Sequence, residues 1–283
     1  MIKFTVLGSL EIQRDDRTCR PSAPKVMQVL SLLLLRSNRA LPISTVIEEL
    51  WGEHPPRSAS TTTQTYIYQL RRLLEHEGFV TEGEELLVTH PYGYQLQIEP
   101  RQLDAFVFES LLNEGRGLLA RGREEEAVVR LRSALSLWTG PILPHVTRGP
   151  LLSAHAIHLE EQWLRTTELC IQAEIRLGWE REVIGELRAL SLSHPLNEWF
   201  HVRLVEALAR AGRRNEALEA YQRARTILDE ELGLSPSAEL QALQVRLLSG
   251  TPEPLPESLL RGSRGRRPDF VPRGQRLSSA SVQ

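Results

Sequence analysis

Arg57-Ser-Ala-Ser-Thr-Thr-Thr-Gln-Thr-Tyr-Ile-Tyr-Gln-Leu-Arg-Arg-Leu-Leu-Glu75 is the stretch on which the reading of this chain turns. Thr63, Ile67, Leu70 and Leu74 recur at helical spacing and lay one apolar stripe along a helix. The opposite side of the wheel carries Thr61, Thr65, Tyr68, Gln69 and Arg72, with Arg71 at its flank. A solvated helix surface mixes Glu with Lys and is seldom this rich in Thr, Gln and aromatics. Hydroxyl, amide, phenol and guanidinium groups are those that meet phosphates and base edges in a major groove. Taken alone, the stretch fits an ordinary amphipathic helix equally well, so its neighbours decide.

Upstream, Phe4, Val6, Leu10 and Ile12 alternate in part around Gly8, which predicts one or two short strands before a polar turn at Asp15-Asp16-Arg17. Pro24 suits the first turn of a helix running to about Ser37, with Val26, Val29, Leu30, Leu33 and Leu34 inside. Ser44 is the expected cap of a second helix whose apolar face is Val46, Ile47, Leu50 and Trp51. Pro55-Pro56 ends that pattern. Downstream, residues 85–98 read as a hairpin: Leu87 and Thr89 lead in, Pro91-Tyr92-Gly93 form the tip, and Tyr94, Leu96 and Ile98 lead out. Strands, three helices and a two-stranded wing describe an α+β winged helix-turn-helix, whose third helix is the reading helix.

These residues also carry a family resemblance. Leu7-Gly8 in the first strand region, Leu50-Trp51-Gly52 before Pro55-Pro56, Leu70-Arg71-Arg72-Leu73 and Gly93-Tyr94 resemble the OmpR/PhoB-type DNA-binding domain. Their arrangement is most similar to the Streptomyces antibiotic regulatory proteins, the AfsR/DnrI/RedD type. The resemblance implies that the loop of residues 52–57 faces the transcription machinery. OmpR/PhoB-type reading helices often carry basic residues where Tyr68 and Gln69 stand here, so base preference does not transfer.

From Asp104 the texture becomes helical. Phe106, Leu111, Leu112, Leu118 and Leu119 belong to one helix; Ala127, Leu131, Ala134, Leu135 and Trp138 belong to the next. In residues 197–231, a helix bearing Trp199, Val202, Leu204, Val205, Ala207 and Leu208 ends at Ala211-Gly212-Arg213. A second helix then carries Ala217, Ala220, Tyr221 and Ala224. Small residues beside one aromatic allow close helix pairing, as in tetratricopeptide repeats of about 34 residues. Gly122-Arg-Glu-Glu-Glu-Ala127 echoes Gly212-Arg-Arg-Asn-Glu-Ala217. The expected second domain is therefore an all-α, tetratricopeptide-like helical domain. Trp138-Thr-Gly-Pro-Ile-Leu143, His194-Pro-Leu-Asn-Glu198 and Glu231-Leu-Gly-Leu-Ser-Pro236 resemble the bacterial transcriptional activation domain of the same regulators.

The expected organisation is thus a winged-helix domain over 1–100, the activation domain over 103–248 and a tail over 250–283. The tail is rich in Pro, Gly and Ser and carries Arg261, Arg264, Arg266, Arg267, Arg273 and Arg276. It reads as a solvated disordered segment, with non-specific support of DNA phosphates as the sharper alternative.

The 283 residues carry a formal net charge of −2, so no overall field draws the protein to nucleic acid, and any such attraction is local. Two distant cysteines, Cys19 and Cys170, suit a reducing cytoplasm, and no apolar run is long enough to span a bilayer. Gly115-Arg-Gly-Leu-Leu-Ala120 matches a relaxed dinucleotide fingerprint, but it lies within a helical pattern with no strand before it. His155, His158 and Glu161 read as polar surface, not as metal ligands. Neither a GK[ST] phosphate loop nor a Gly-x-Ser-x-Gly elbow is present. No enzyme, cofactor or metal is expected.

The expected function is sequence-specific activation of transcription, with Thr65, Tyr68 and Gln69 at base edges and Thr61, Arg71 and Arg72 on phosphates. His90 and Tyr92 at the wing tip are weaker candidates, while Tyr94 and Trp51 are expected in the core. The resemblance implies direct repeats in double-stranded promoter DNA near antibiotic biosynthesis genes, bound by two protomers side by side. It further implies recruitment of RNA polymerase through its sigma factor and a cytoplasmic, nucleoid-associated location. The competing reading is a helical adaptor whose winged domain binds protein only. A response-regulator output is a further competitor, disfavoured because no receiver domain precedes residue 1.

Overall fold

The computed structural model describes residues 1–80 and 85–249. The expected tail over 250–283 lies outside them. The chain opens with a three-stranded antiparallel sheet: β1 (Ile2–Thr5), β2 (Glu11–Arg14) and β3 (Arg17–Cys19), in that spatial order. One or two strands were expected. The third, Arg-Thr-Cys, is too short to show alternation, and it forms because Asp15, at φ 53°, turns the chain back at once. Leu7-Gly8 follows β1 instead of lying in it.

Helix α1 (Pro24–Leu35) starts on Pro24, whose missing N–H costs nothing in a first turn. Helix α2 (Ile43–Trp51) corrects the expected cap: the capping position is Pro42, without a side-chain hydrogen bond, and Ser44 lies inside the first turn. Leu41–Pro42 has already paired as a two-residue strand, β4, which fixes where the helix can begin. Helix α3 (Ala59–His76) forms over the expected stretch, and Thr63, Ile67, Leu70 and Leu74 are all buried. Strands β5 (Leu87–His90) and β6 (Gly93–Leu96) form the wing. Strand β4 joins them in the order β4-β6-β5.

Seven further helices occur among the described residues: α4 (Asp104–Ala120), α5 (Glu124–Leu135), α6 (Pro150–Arg176), α7 (Glu180–Ser193), α8 (Glu198–Arg210), α9 (Arg214–Leu232) and α10 (Ala238–Ser249). Gly122 and Gly212, the two echoed hinges, both take left-handed φ, 71° and 76°, which a side chain would resist. The fold class is the expected one, a small β-rich winged domain followed by helices.

Packing divides the chain into two compact units. Among the described residues, the first takes 1–117 and 130–167 and the second takes 118–129 and 168–249. In the first unit, Phe4, Leu7, Ile12, Leu30, Leu33, Leu34, Ile67, Leu70 and Phe108 form the core. Three polar clamps join its parts. The Asp104 carboxylate accepts the backbone N–H of Val6 and Leu7 at 2.9 Å. Buried Glu49 of α2 accepts Gly149 N–H at 2.6 Å and Leu151 N–H at 2.8 Å, capping the start of α6. The Leu7 carbonyl accepts Thr139 N–H and the Gly8 carbonyl accepts Leu143 N–H, both at 2.9 Å. A Cβ on Gly8 would lie 2.0 Å from Thr139 Oγ1, so the approach needs glycine.

In the second unit α8 is the central helix, burying Phe200, Leu204, Val205 and Leu208. Ala217, Tyr221 and Ala224 of α9 are buried as the small-residue pattern required, while Ala220 is only half-buried. Arg203 on α8 pairs with Glu206 and with Glu239 of α10. Hydrogen bonds from Arg213 and Arg188 hold the Glu216 carboxyl down to about 2.

Candidate nucleic-acid interface

Helix α3 is held from three sides, which makes its outer face a rigid surface. Its apolar stripe faces α1 and α2. At its C-terminal end, the first sheet reaches over: Arg14 Nη1 donates to the Phe79 carbonyl at 2.6 Å and Arg17 Nη1 to the Glu77 carbonyl at 3.4 Å. On its flank, Arg71 Nη2 donates to the Leu87 carbonyl at 3.0 Å and to Thr89 Oγ1 at 2.6 Å, both in the wing.

The wing is fixed from behind. Gly93 packs so closely on β4 that an added Cβ would lie 1.9 Å from the Leu41 carbonyl oxygen. Ile43 N–H donates to the Tyr92 carbonyl at 3.0 Å, tying the hairpin tip to the start of α2. Asn38, in the left-handed conformation, donates Nδ2–H to the Ile98 carbonyl at 2.8 Å and accepts Ile98 N–H at 3.1 Å. The tip is therefore a braced two-residue turn of Pro91 and Tyr92.

On α3, Thr61, Thr65, Tyr68, Gln69 and Arg72 are all exposed, Tyr68 by 59%. Thr61, Thr65, Tyr68 and Arg72 fall at steps of four, three and four residues and share one stripe, with Gln69 beside it. The Thr65 hydroxyl spends its proton on the Thr61 carbonyl at 3.0 Å, which leaves oxygen lone pairs and a methyl facing out. Such a group accepts from a base amine or packs on a thymine methyl. Gln64 joins the candidates read from the sequence. It is exposed one turn before Tyr68, and its place between the stripe and Arg71 is readable from the wheel. From Arg57 to Leu74 there is no acidic side chain, and Glu75 then closes the stripe one turn after Arg72, in a chain of net charge −2.

At the wing tip, His90 and Tyr92 stack with ring centroids 6.0 Å apart, and His90 Nε2 lies 2.6 Å from Gln95 Oε1. Tyr92 is 59% exposed, a second tyrosine open to solvent. Tyr94 is core, as expected. Trp51 is only half-buried, stacked on Tyr66 at 6.4 Å with the Lys25 ammonium 5.8 Å from its ring, because α2 ends at that residue. The loop of residues 52–57 is wholly exposed. His155 and His158 lie on α6, where His158 Nε2 is 3.0 Å from Gln162 Nε2. Among the described residues no three metal-ligating side chains converge.

A family model for the C-terminal domain of transcriptional regulatory proteins matches residues 20–96, and one for the bacterial transcriptional activator domain matches residues 103–248. The chain belongs to the Streptomyces antibiotic regulatory protein family. The regulatory protein DnrI of Streptomyces peucetius is 37% identical over 257 residues, which covers 89% of this chain and 93% of that one. The regulatory protein AfsR of Streptomyces griseus is 34% identical over 252 residues, but these span only 25% of its length. A solved structure of Mycobacterium tuberculosis EmbR, in complex with a low-affinity phosphopeptide, superposes with a TM-score of 0.80 at 32% identity. That match covers 91% of this chain and 67% of EmbR. The family is one of transcriptional regulators, and no helix among the described residues is long and apolar enough to cross a membrane.

Proposed function

We propose that this regulator is a sequence-specific DNA-binding activator of a secondary-metabolite gene cluster. Residues 1–100 would read DNA and residues 103–248 would form the activation domain. The observation that carries this reading is the outer face of α3: exposed, lined by hydroxyl, amide, phenol and guanidinium groups with Glu75 in the last turn as its one acidic side chain, and braced beside a wing. Thr65, Tyr68 and Gln69 would meet base edges, each good contact contributing roughly 1–3 kcal/mol of discrimination. Thr61 and Arg72 would hold phosphates and set register, and His90 and Tyr92 would meet the backbone or minor groove beside the helix. The family further supports two protomers side by side on direct repeats and recruitment of RNA polymerase through its sigma factor. Such a protein works where the chromosome is, in the cytoplasm at the nucleoid.

A gel-shift titration with the full chain, comparing DNA from its own upstream region with random DNA at two salt concentrations, tests the reading. The upstream fragment should bind well above random DNA and lose affinity as salt rises, since each released phosphate counterion steepens the dependence. Equal binding to both DNAs, or binding to neither, favours the protein-only adaptor.

A further inference from the structure

Two adjacent arginines on α3 have opposite surroundings. Arg72 is exposed and has no hydrogen-bond or ion-pair partner among the described residues. Arg71 is half-buried, and one nitrogen of its guanidinium meets two acceptors on β5, the Leu87 carbonyl and the Thr89 hydroxyl. Those acceptors lie 16 and 18 residues further along the chain. Thr89 stands opposite Tyr94 in the hairpin, two residues before the Pro91-Tyr92 tip. A planar guanidinium held by two acceptors transmits orientation as well as distance. Two of the five N–H groups of Arg71 are committed to the wing and hold its guanidinium against β5, whereas the whole guanidinium of Arg72 is exposed.

We propose that Arg71 is a positioning residue that sets the spacing between reading helix and wing, and that it is not a phosphate anchor. Through it, Tyr68 and Gln69 on α3 and His90 and Tyr92 on the wing engage one DNA site together. This inference rests on the DNA-reading function proposed above. It divides the Arg71-Arg72 pair into an inward strut and an outward anchor.

The test uses the full chain and the duplex that the wild-type protein enriches from a random-sequence pool. Arg71→Gln, Thr89→Val and their combination are compared by affinity at two salt concentrations and by hydroxyl-radical footprinting. Each single variant should bind about tenfold more weakly, the scale of one net hydrogen bond. Each should lose protection over the segment covered by the wing while keeping that under α3. The double variant should bind no more weakly than Arg71→Gln alone, because both changes break one link. Thr89→Ser, which keeps the hydroxyl, should restore wild-type binding. The salt slope should not change in any of them.

If Thr89→Val binds like wild type while Arg71→Gln reduces the salt slope by about one unit, Arg71 is a phosphate anchor and the proposal fails. A uniform loss of protection that tracks thermal destabilisation reduces Arg71 to fold maintenance and also overturns it. A wild-type chain that enriches no sequence removes the DNA-reading function itself, and with it this role.

Discussion

Asp104 illustrates how much can rest on one side chain. Burial pushes its carboxyl up to about 6, against the opposing pull of the Val6 and Leu7 N–H groups it accepts. A folded-state value above the unfolded 3.8 means that the fold favours the protonated form. The contribution is complete below about pH 4 and is lost as pH rises through 6, at most about 3 kcal/mol in all. Urea unfolding at pH 5 and pH 7.5 should therefore show wild type gaining on Asp104→Asn at the lower pH. An identical difference at both pH values would contradict the assignment. Little of this is visible in the sequence, since an Asp at the start of a helical run reads as a cap, and its partners are 97 and 98 residues away. Arg71 is opaque for the same reason: periodicity places it on the flank of α3, but the acceptors it reaches lie 16 and 18 residues further along the chain. By contrast, Thr63, Ile67, Leu70 and Leu74 are legible because burial follows the 3.6-residue repeat of a single element.

At the scale of elements, long periodic segments are readable and short ones are not. Strands β3 and β4 have three and two residues, too few to carry a pattern, yet β4 fixes both the wing and the start of α2. Gly93→Ala tests that dependence. Its Cβ would meet the Leu41 carbonyl, backbone that cannot swing aside, and overpacking of this kind costs about 1–3 kcal/mol. Circular dichroism melts should show the loss, and an unchanged melting temperature would mean that the wing is not clamped by β4. Glu49 makes a parallel case. On a helix such a residue reads as solvated surface, but here it caps α6 through Gly149 and Leu151. Glu49→Ala leaves those half-buried donors without their acceptor and should cost about 2 kcal/mol in urea unfolding. A cost near zero would show that water replaces the carboxylate.

For the whole molecule, the order of the motifs along the chain is informative by itself. Leu7-Gly8 and Trp138-Thr-Gly-Pro-Ile-Leu143, which read as signs of two domains, meet through backbone hydrogen bonds within the first compact unit. Sequence pattern identifies both motifs but does not reveal that they touch, because contact between distant segments leaves no trace in local periodicity. A fragment ending at residue 100 lacks Asp104 and residues 139–152, so it should melt well below the full chain by calorimetry. Equal melting temperatures would show that those clamps add nothing. Selection of duplexes from a random pool, by wild type and by Gln69→Ala, decides whether α3 reads sequence. Wild type should enrich one motif. Gln69→Ala, removing an exposed side chain, should leave the melting temperature unchanged and flatten preference at one or two base pairs of that motif. The same motif enriched with the same strength by both proteins, or no motif by either, would show that Gln69 and its face of α3 do not choose the site.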